Sequence, residues 1–189
     1  MTPILTLQSA RLILRQWQDD DLPAFAEMCA DPQVMRYFPA PLSRLECAAL
    51  IGRVRGHFNE YGYGLWALER MDSGAFIGLT GLLNVNFEAP FAPAVEVGWR
   101  LARRHWGQGF ASEAAWTCLR CAFAQLHLDE VVSFASQHNV PSQKVMQAIG
   151  MVQDLAGTFE HPRLPPGHAL RPHVLYRIDR ARWEQTLRS

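Results

Sequence analysis

A glycine-containing loop is the feature of this sequence that points most directly to chemistry. It runs from Arg103 to Gly109 (RRHWGQG), between a predicted strand over 94–101 and a helical pattern that starts at Gly107. Unpaired backbone N–H groups converge at a helix start, the helix dipole adds about half a positive charge, and glycine lets a phosphate approach the backbone. The loop is therefore a candidate anion site, although a glycine turn with surface arginines would explain the same residues.

Two common phosphate-binding patterns do not fit this loop. A P-loop requires GxxxxGK[ST], and no lysine follows Gly109. A Rossmann fingerprint requires Gly or Ala where Ser112 stands and an acidic residue at the end of the next strand, whereas Asp129 and Glu130 precede that strand. The sequence thus argues against an NTPase and against dinucleotide binding.

Composition limits the remaining classes of function. The 189 residues are 49% hydrophobic and 19% charged, which predicts one globular domain over 1–189. Lys and Arg number 18, as do Asp and Glu, so no overall basic field favours nucleic acid or a membrane as partner. The longest stretch without a charged residue, 73–87, is too short to span a bilayer, and the amino terminus lacks a signal pattern. We expect a cytoplasmic location.

Cys118 and Cys121 have the spacing of a metal or redox pair. They lie inside an apolar helical pattern, and no second CxxC or CxxH is nearby. We interpret them as buried small hydrophobic residues and expect no metal site.

The hydrophobic pattern predicts an α/β fold with a mixed sheet (an α+β mixed sheet) of about seven strands and helices on both faces. Alternation along strand 94–101 puts Val97 and Trp99 on one face and Glu96, Gly98 and Arg100 on the other. The predicted strands are 11–17, 65–70, 76–83, 94–101, 131–135, 151–159 and 172–178. The predicted helices are 19–31, 43–58, 107–126, 139–150 and 181–187.

Arg104-x-x-Gly107-x-Gly109 resembles the (Q/R)xxGx(G/A) pyrophosphate loop of the GNAT acyltransferases. Five segments also occur in the order typical of the RimJ/RimL-like branch, which acetylates protein N-termini and small amines: RLILRQWQDDDLPAF, VEVGWRL, RRHWGQGFASEA, NVPSQKVMQAIGM and HVLYRID. The resemblance covers essentially the whole chain. It implies a GNAT-like central sheet with two splayed strands, and acetyl-CoA as cosubstrate.

The resemblance also implies how acetyl-CoA is held. Pantetheine would pair with strand 94–101 where that strand splays from strand 131–135, and Gly98 would suit an irregularity there. Backbone amides of 104–111 would bind the pyrophosphate, Arg103 or Arg104 would reach the adenosine phosphates, and an N–H within 97–99 would polarise the thioester carbonyl. The implied cofactor-binding residues are Val97, Gly98, Trp99, Leu101, Arg103, Arg104, Trp106, Gly107, Gln108, Gly109, Phe110, Ala111, Asn139 and Ser142.

Two catalytic residues follow from the same resemblance. Glu96 matches a base that deprotonates the amine, commonly through water, and Ser142 matches a donor to the leaving thiolate. Glu96 could instead form an ion pair with Arg100, and Asn139 and Ser142 could simply cap a helix. Many relatives use a tyrosine acid, but 139–151 contains no Tyr, which favours Ser142 over the later Tyr176.

The acceptor pocket is defined least by the sequence. By analogy with the family, Tyr37, Phe38, Tyr61 and Tyr63 would frame it, together with the Pro-rich connection 161–173. The neutral composition favours a less charged acceptor than a polyamine. The resemblance is consistent with a homodimer. A non-catalytic acyl-CoA sensor and a nucleotide-binding regulator stay open as alternatives.

Overall fold

The computed structural model describes residues 5–188, which form one eight-stranded mixed sheet with helices on both faces. The strands lie in the order β1-β2-β3-β4-β5-β6-β8-β7, and only the β5–β6 pair is parallel. The strands are β1 (Leu7–Gln8), β2 (Leu12–Arg15), β3 (Leu65–Arg70), β4 (Phe76–Asn84), β5 (Val95–Leu101), β6 (Glu130–Ser136), β7 (Val152–Glu160) and β8 (Pro172–Asp179). The helices are α1 (Asp21–Ala30), α2 (Arg44–Tyr61), α3 (Phe110–Ala124), α4 (Val140–Ala148) and α5 (Arg180–Thr186), with a 3₁₀ turn at Arg103–His105.

The predicted order of elements and the mixed sheet are confirmed. The sequence missed β1, because two residues are too few to show alternation. No helix among residues 5–188 combines the length and apolar character needed to cross a membrane.

The strand register shows which helices cover which face. Leu79 pairs with Arg100, and Thr80 pairs with Trp99. Arg100 Nη1 reaches Cys29 Sγ of α1 at 3.3 Å, whereas Thr80 Oγ1 lies 3.9 Å from Cys118 Sγ of α3. Because opposed residues share a face, α1 and α3 lie on opposite sides of the sheet.

The two cysteines of the CxxC spacing are core residues of α3, as predicted. Both are buried, and burial raises the pKa of each thiol, that of Cys121 to about 11. Within residues 5–188 no group of three or more His, Cys, Asp or Glu side chains could hold a metal ion.

The α1–α2 connection is fixed at both ends. Leu42 donates its N–H to the carbonyl of Cys29 at 2.9 Å. At the start of α2, Ser43 Oγ accepts the N–H of Glu46 at 3.3 Å, and Glu46 Oε2 accepts the N–H of Ser43 at 2.7 Å. This capping box fixes where the loop ends and α2 begins.

Strands β5 and β6 separate almost as soon as they meet. Their ladder has a single register pair, Glu96 with Val132. Beyond it the Val97 carbonyl accepts the hydroxyl of Ser133 at 2.8 Å. The Ser133 hydroxyl thus provides the hydrogen bond for the Val97 carbonyl at the start of the gap. Beyond it, β5 is no longer paired with β6.

Gly98 lies just beyond the single β5–β6 register pair, where the two strands separate, but it forms no bulge towards β4. It pairs in regular register with Gly81, and the register shift in this part of the sheet lies between β3 and β4, at Leu68/Glu69. A Cβ on Gly98 would lie 3.7 Å from Glu96 Oε1. The glycine therefore leaves open the space beside the Glu96 carboxylate.

Candidate active site

Two cavities meet at the gap between β5 and β6. The first, of about 530 Å³, is lined by the glycine loop and the start of α4, and we call it the loop cavity. The second, of about 410 Å³, is lined by His161 and His173 near β7 and β8, and we call it the histidine cavity. Both are lined by Tyr37, Phe38, Trp99, Arg100, Asn139 and Ser142. Groups bound in the two cavities can therefore meet at these six residues.

The glycine loop has the backbone conformation of an anion site. Gly107 has φ 71° and Gly109 has φ 80°, both in the left-handed region that favours glycine. Nothing lies within 4 Å of the position that a Cβ would take on Gly107. Gly109 is the N-cap of α3 and makes no side-chain cap, so the first amides of this helix face the loop cavity.

Arg11 holds this loop from outside. Its Nη1 donates to the Gln108 carbonyl at 3.0 Å, and its guanidinium carbon lies 4.3 Å from the centre of the Phe110 ring. Glu113 fixes the guanidinium by accepting from Arg11 Nε at 2.6 Å. This role could not be predicted from the sequence, since Arg11 is almost a hundred positions away from the loop.

The loop cavity is lined by cations without a carboxylate. Arg36, Arg100 and Lys144 line it, and its lining contains no Asp or Glu. His105 also lines it, with a buried Nδ1 that has no hydrogen-bond partner among residues 5–188. Burial, and secondarily Arg104, lower the pKa of His105, which favours the neutral ring. This lining suits a polyanion with hydrogen-bonding groups. Sequence reasoning missed Arg36, His105 and Lys144.

Some of the predicted cofactor residues line the loop cavity, and the others lie elsewhere. Nine line the loop cavity: Trp99, Leu101, Trp106, Gly107, Gly109, Phe110, Ala111, Asn139 and Ser142. Val97 is buried, Gly98 lines the histidine cavity, and Gln108 Nε2 donates to the Arg104 carbonyl at 3.1 Å. Arg103 and Arg104 line a separate cavity of about 440 Å³ against α1, where Arg104 Nη1 is 3.9 Å from Glu27 Oε1.

Trp99 carries the first backbone amide beyond the end of the ladder. The N–H and carbonyl of a strand residue point to the same side, and these sides alternate along the strand. The Val97 carbonyl points towards β6 and the Gly98 carbonyl towards Thr80 Oγ1 of β4, which donates to it at 2.9 Å. Trp99 therefore directs its N–H into the gap where the two cavities meet.

Glu96 lies on the histidine-cavity side without a partner. Within residues 5–188 its carboxylate has neither a hydrogen bond nor an ion pair, and the Arg100 guanidinium contacts Cys29 and Phe38 instead. Burial raises its pKa to about 8. The alternative of a Glu96–Arg100 ion pair is wrong in this structure, and a carboxyl group that titrates near neutral pH lines the cavity.

Asn139 and Ser142 lie between the two cavities. Asn139 Oδ1 accepts the backbone N–H of Ser142 at 3.2 Å, so the predicted capping of α4 is present. That cap uses the backbone of Ser142, which leaves the hydroxyl for other partners. Tyr176 is buried, and its hydroxyl accepts from Gln147 Nε2 at 3.3 Å. It lines neither cavity.

The predicted acceptor residues are also divided. Tyr37 and Phe38 line both cavities, whereas Tyr63 lines neither and donates its hydroxyl to Asn84 Oδ1 at 2.7 Å. The centroid of the Tyr61 ring lies 6.1 Å from that of Tyr63, and Tyr61 lines neither cavity. The connection 161–173 contributes His161, Arg163, Leu164 and His173 to the histidine cavity.

The two histidines of this cavity are neutral near pH 7. Their ring centroids are 5.0 Å apart. Burial, then the neighbouring His173 and Arg163, lower the pKa of His161 to about 4, and burial lowers that of His173. Nδ1 of His173 donates to the Arg171 carbonyl at 3.0 Å, which leaves Nε2 as an acceptor.

Comparisons with known proteins agree with this geometry. The profile of the family described as Acetyltransferase (GNAT) domain matches residues 11–152. The uncharacterized protein YkkB of Bacillus subtilis (strain 168) is 30% identical over 146 residues, which cover 77% of this chain and 84% of YkkB. The FsC-acetyl coenzyme A-N(2)-transacetylase of Aspergillus fumigatus is 29% identical, with 94% of this chain and 77% of that protein covered. Mycobacterium smegmatis RimJ in complex with CoA-disulfide shares the fold, with a TM-score of 0.75 and 20% identity over 94% of this chain and 88% of that one. The chain therefore belongs to the GNAT acetyltransferase family.

Proposed function

We propose that this protein transfers an acetyl group from acetyl-CoA to a primary amine, by direct attack of the amine while both substrates are bound. One observation carries the proposal. The gap between β5 and β6 joins a loop cavity, which Arg36 and Lys144 line and to which no carboxylate of residues 5–188 contributes, to a histidine cavity that contains Glu96, whose pKa is about 8.

The loop cavity fits acetyl-CoA, the cosubstrate that the GNAT fold uses. The open space over Gly107 and the first amides of α3 would hold the pyrophosphate. Arg36 and Lys144 would neutralise phosphate charge, and the buried His105 Nδ1 would gain a hydrogen-bond partner. Bound acetyl-CoA supplies an activated acetyl group as a thioester.

Three groups of this chain then act where the cavities meet. The Trp99 N–H donates to the carbonyl oxygen on which negative charge develops. Glu96 in its ionised form takes the proton of the incoming ammonium, directly or through water. The Ser142 hydroxyl donates to the sulfur that leaves.

The pKa of Glu96 suits a base at neutral pH. With a pKa of about 8, about one tenth of the free protein carries the ionised form at pH 7. A bound alkylammonium beside the carboxylate would increase that fraction, because an opposite charge favours ionisation. A base whose pKa lies near the working pH is ionised often enough to act and is still basic enough to accept a proton.

The RimJ/RimL-like branch is our proposal for the finer classification. The fold shared with M. smegmatis RimJ and the sequence similarity to an N-transacetylase of A. fumigatus support an amine acceptor, either a protein N-terminus or a small molecule.

Acetyl-CoA-dependent release of CoA tests the function. It is measured chromatographically, because the chain has four cysteines of its own. The panel contains Ala- and Ser-starting peptides, amino acids, polyamines and aminoglycosides, with a control that lacks acceptor. Release that requires one acceptor class and falls in Glu96→Gln is expected. Acetyl-CoA binding without release for any acceptor would contradict the proposal and indicate a sensor.

A further inference from the structure

Arg100 is a guanidinium whose hydrogen-bonding capacity is not satisfied by the protein. Its Nη1 contacts Cys29 Sγ at 3.3 Å, a weak acceptor, and its guanidinium carbon lies 4.0 Å from the centre of the Phe38 ring. Its Nε is buried and has no hydrogen-bond partner within residues 5–188. Arg100 also forms no ion pair in that part of the chain. Most of its five N–H donors thus have no acceptor among residues 5–188 and are free to bind one from a ligand.

The histidine cavity as a whole is short of negative charge. A second arginine, Arg163, lines it and donates through Nη2 to Asn86 Oδ1 at 2.6 Å and to the Asn86 carbonyl at 3.2 Å, with no carboxylate partner in the described chain. Glu96 is the single carboxylate of the lining, and His161 is neutral. The cavity therefore disfavours a polycation and favours an acceptor that brings its own negative charge.

Arg100 and Glu96 are placed to bind two ends of one molecule. They lie four residues apart on the same face of β5, which separates their Cα atoms by about 13 Å. Gly98 between them leaves the surface of the strand open. The Phe38 ring covers the face of the guanidinium, so its in-plane N–H groups are left to form a forked pair with a carboxylate.

We propose that the acceptor is a primary amine that also carries a carboxylate, and that Arg100 binds this carboxylate while the amine lies at Glu96. This inference rests on the proposed function, because it assigns the class of acceptor to the same site. It is compatible with the preference for an acceptor less charged than a polyamine that the neutral composition suggested. Arg100 also lines the loop cavity, so a role in binding CoA is the competing explanation that the test must separate.

Matched acceptors give the first part of the test. A series of α- and ω-amino acids of increasing chain length is compared with the corresponding carboxamides as acetyl acceptors. Dipeptides with Glu or Gln in second position distinguish a peptide carboxylate from that of a free amino acid. We expect kcat/KM to be higher by about tenfold or more for the best acid than for its amide. The reason is that charge-assisted hydrogen bonds are stronger than hydrogen bonds between neutral groups.

Variants of Arg100 give the second part. Arg100→Met keeps a long side chain over Phe38 but removes the charge, and should raise the KM of the acid about tenfold while leaving the KM of the amide and of acetyl-CoA unchanged. Arg100→Lys should restore part of the preference, since it keeps a charge without the fork. Arg53→Met is the matched control, because Arg53 is exposed on α2 and lines neither cavity. Its kinetics should equal those of the wild-type protein.

A binding measurement separates this inference from the proposed function. Short alkyl carboxylates are titrated calorimetrically into the wild-type protein and Arg100→Met, each saturated with CoA, with the matching amides as blanks. If the wild-type protein binds the carboxylate with measurable heat and Arg100→Met does not, the result supports the anion site. This holds even if no amine were acetylated and the proposed function failed. Equal turnover of acids and amides, or a raised KM for acetyl-CoA in Arg100→Met, would overturn the inference and leave the transferase intact.

Discussion

Replacing Glu96 with Gln should stabilise the protein at neutral pH while removing its proposed base. Gln has the same shape as Glu but carries no charge. The pKa of Glu96 is about 8 in the folded protein because of burial, against an ordinary value of 4.5. Between these values the folded protein retains a proton that the unfolded chain has lost. The free energy of unfolding of the wild-type protein therefore falls as pH rises from about 4.5 to about 8.

The size of the effect follows from the two pKa values. At about 1.4 kcal/mol per pH unit, the interval from 4.5 to about 8 amounts to about 5 kcal/mol once the folded carboxyl is fully ionised. Between pH 5.5 and pH 7.5 the wild-type protein loses about 2–3 kcal/mol of this stability. Glu96→Gln does not undergo this loss, because the amide does not titrate.

Urea unfolding, followed by tryptophan fluorescence, measures the difference. The wild-type protein and Glu96→Gln are unfolded at pH 5.5, 6.5 and 7.5, and the stability advantage of the variant should grow by about 2–3 kcal/mol across that range. Glu88→Gln removes an exposed carboxylate and controls for the loss of one negative charge. The comparison uses differences between variants, so other titrating groups common to both proteins cancel.

An advantage that stays constant with pH would refute the reasoning. It would mean that water reaches Glu96 in the folded protein and that its pKa lies near the ordinary value. The same variant tests the chemistry. Its kcat at saturating amine should fall by about 10²- to 10⁴-fold, and the rise of wild-type kcat/KM with pH towards about 8 should disappear.

Three other substitutions probe the loop, the proposed acid and the sheet. Arg11→Met should raise the KM of acetyl-CoA about fivefold in steady-state kinetics without changing kcat, because the hydrogen bond to the Gln108 carbonyl is lost; an unchanged KM would contradict its positioning role. Ser142→Ala should lower kcat about tenfold or more. It should change the free energy of unfolding by no more than about 0.5 kcal/mol, since the backbone N–H of residue 142 makes the cap. A loss of stability that accompanies the fall in kcat would indicate a structural role. Gly81→Ala should destabilise the protein by about 3 kcal/mol or more in urea unfolding, because the new Cβ would lie 1.9 Å from the backbone oxygen of Gly64. Its control is Gly52→Ala, in open space on α2, which should stabilise the protein by about 0.5–1 kcal/mol.

Much of the fold could be predicted because its signals are local. The turn residues and hydrophobic periods marked most of the strands and all five helices, and alternation placed Glu96 and Arg100 on one face of β5. The glycine loop was also evident, since left-handed backbone before a helix favours glycine. The family resemblance rested on the same local segments.

The misplaced residues share one physical cause. Alternation states which face of a strand a side chain occupies, but not which element covers that face. Tyr63 binds Asn84 at the open end of the β3–β4 hairpin. Arg103 and Arg104 lie in the 3₁₀ turn at the start of the glycine loop and line the cavity against α1. Each outcome depends on contacts between segments that are distant in the chain.

The sequence by itself determined the order of the elements, the mixed sheet, the glycine loop and the residue types available for acetyl transfer. Only the tertiary structure decided where β5 and β6 separate and which cations line the loop cavity. It also decided that, within residues 5–188, the half-buried Glu96 has no hydrogen-bond partner and Arg100 has no counter-charge. The physical reason is that backbone conformational preferences and the spacing of hydrophobic side chains, which define helices and strands, act over a few residues. Burial, pKa and charge balance are instead set by everything that packs around a group.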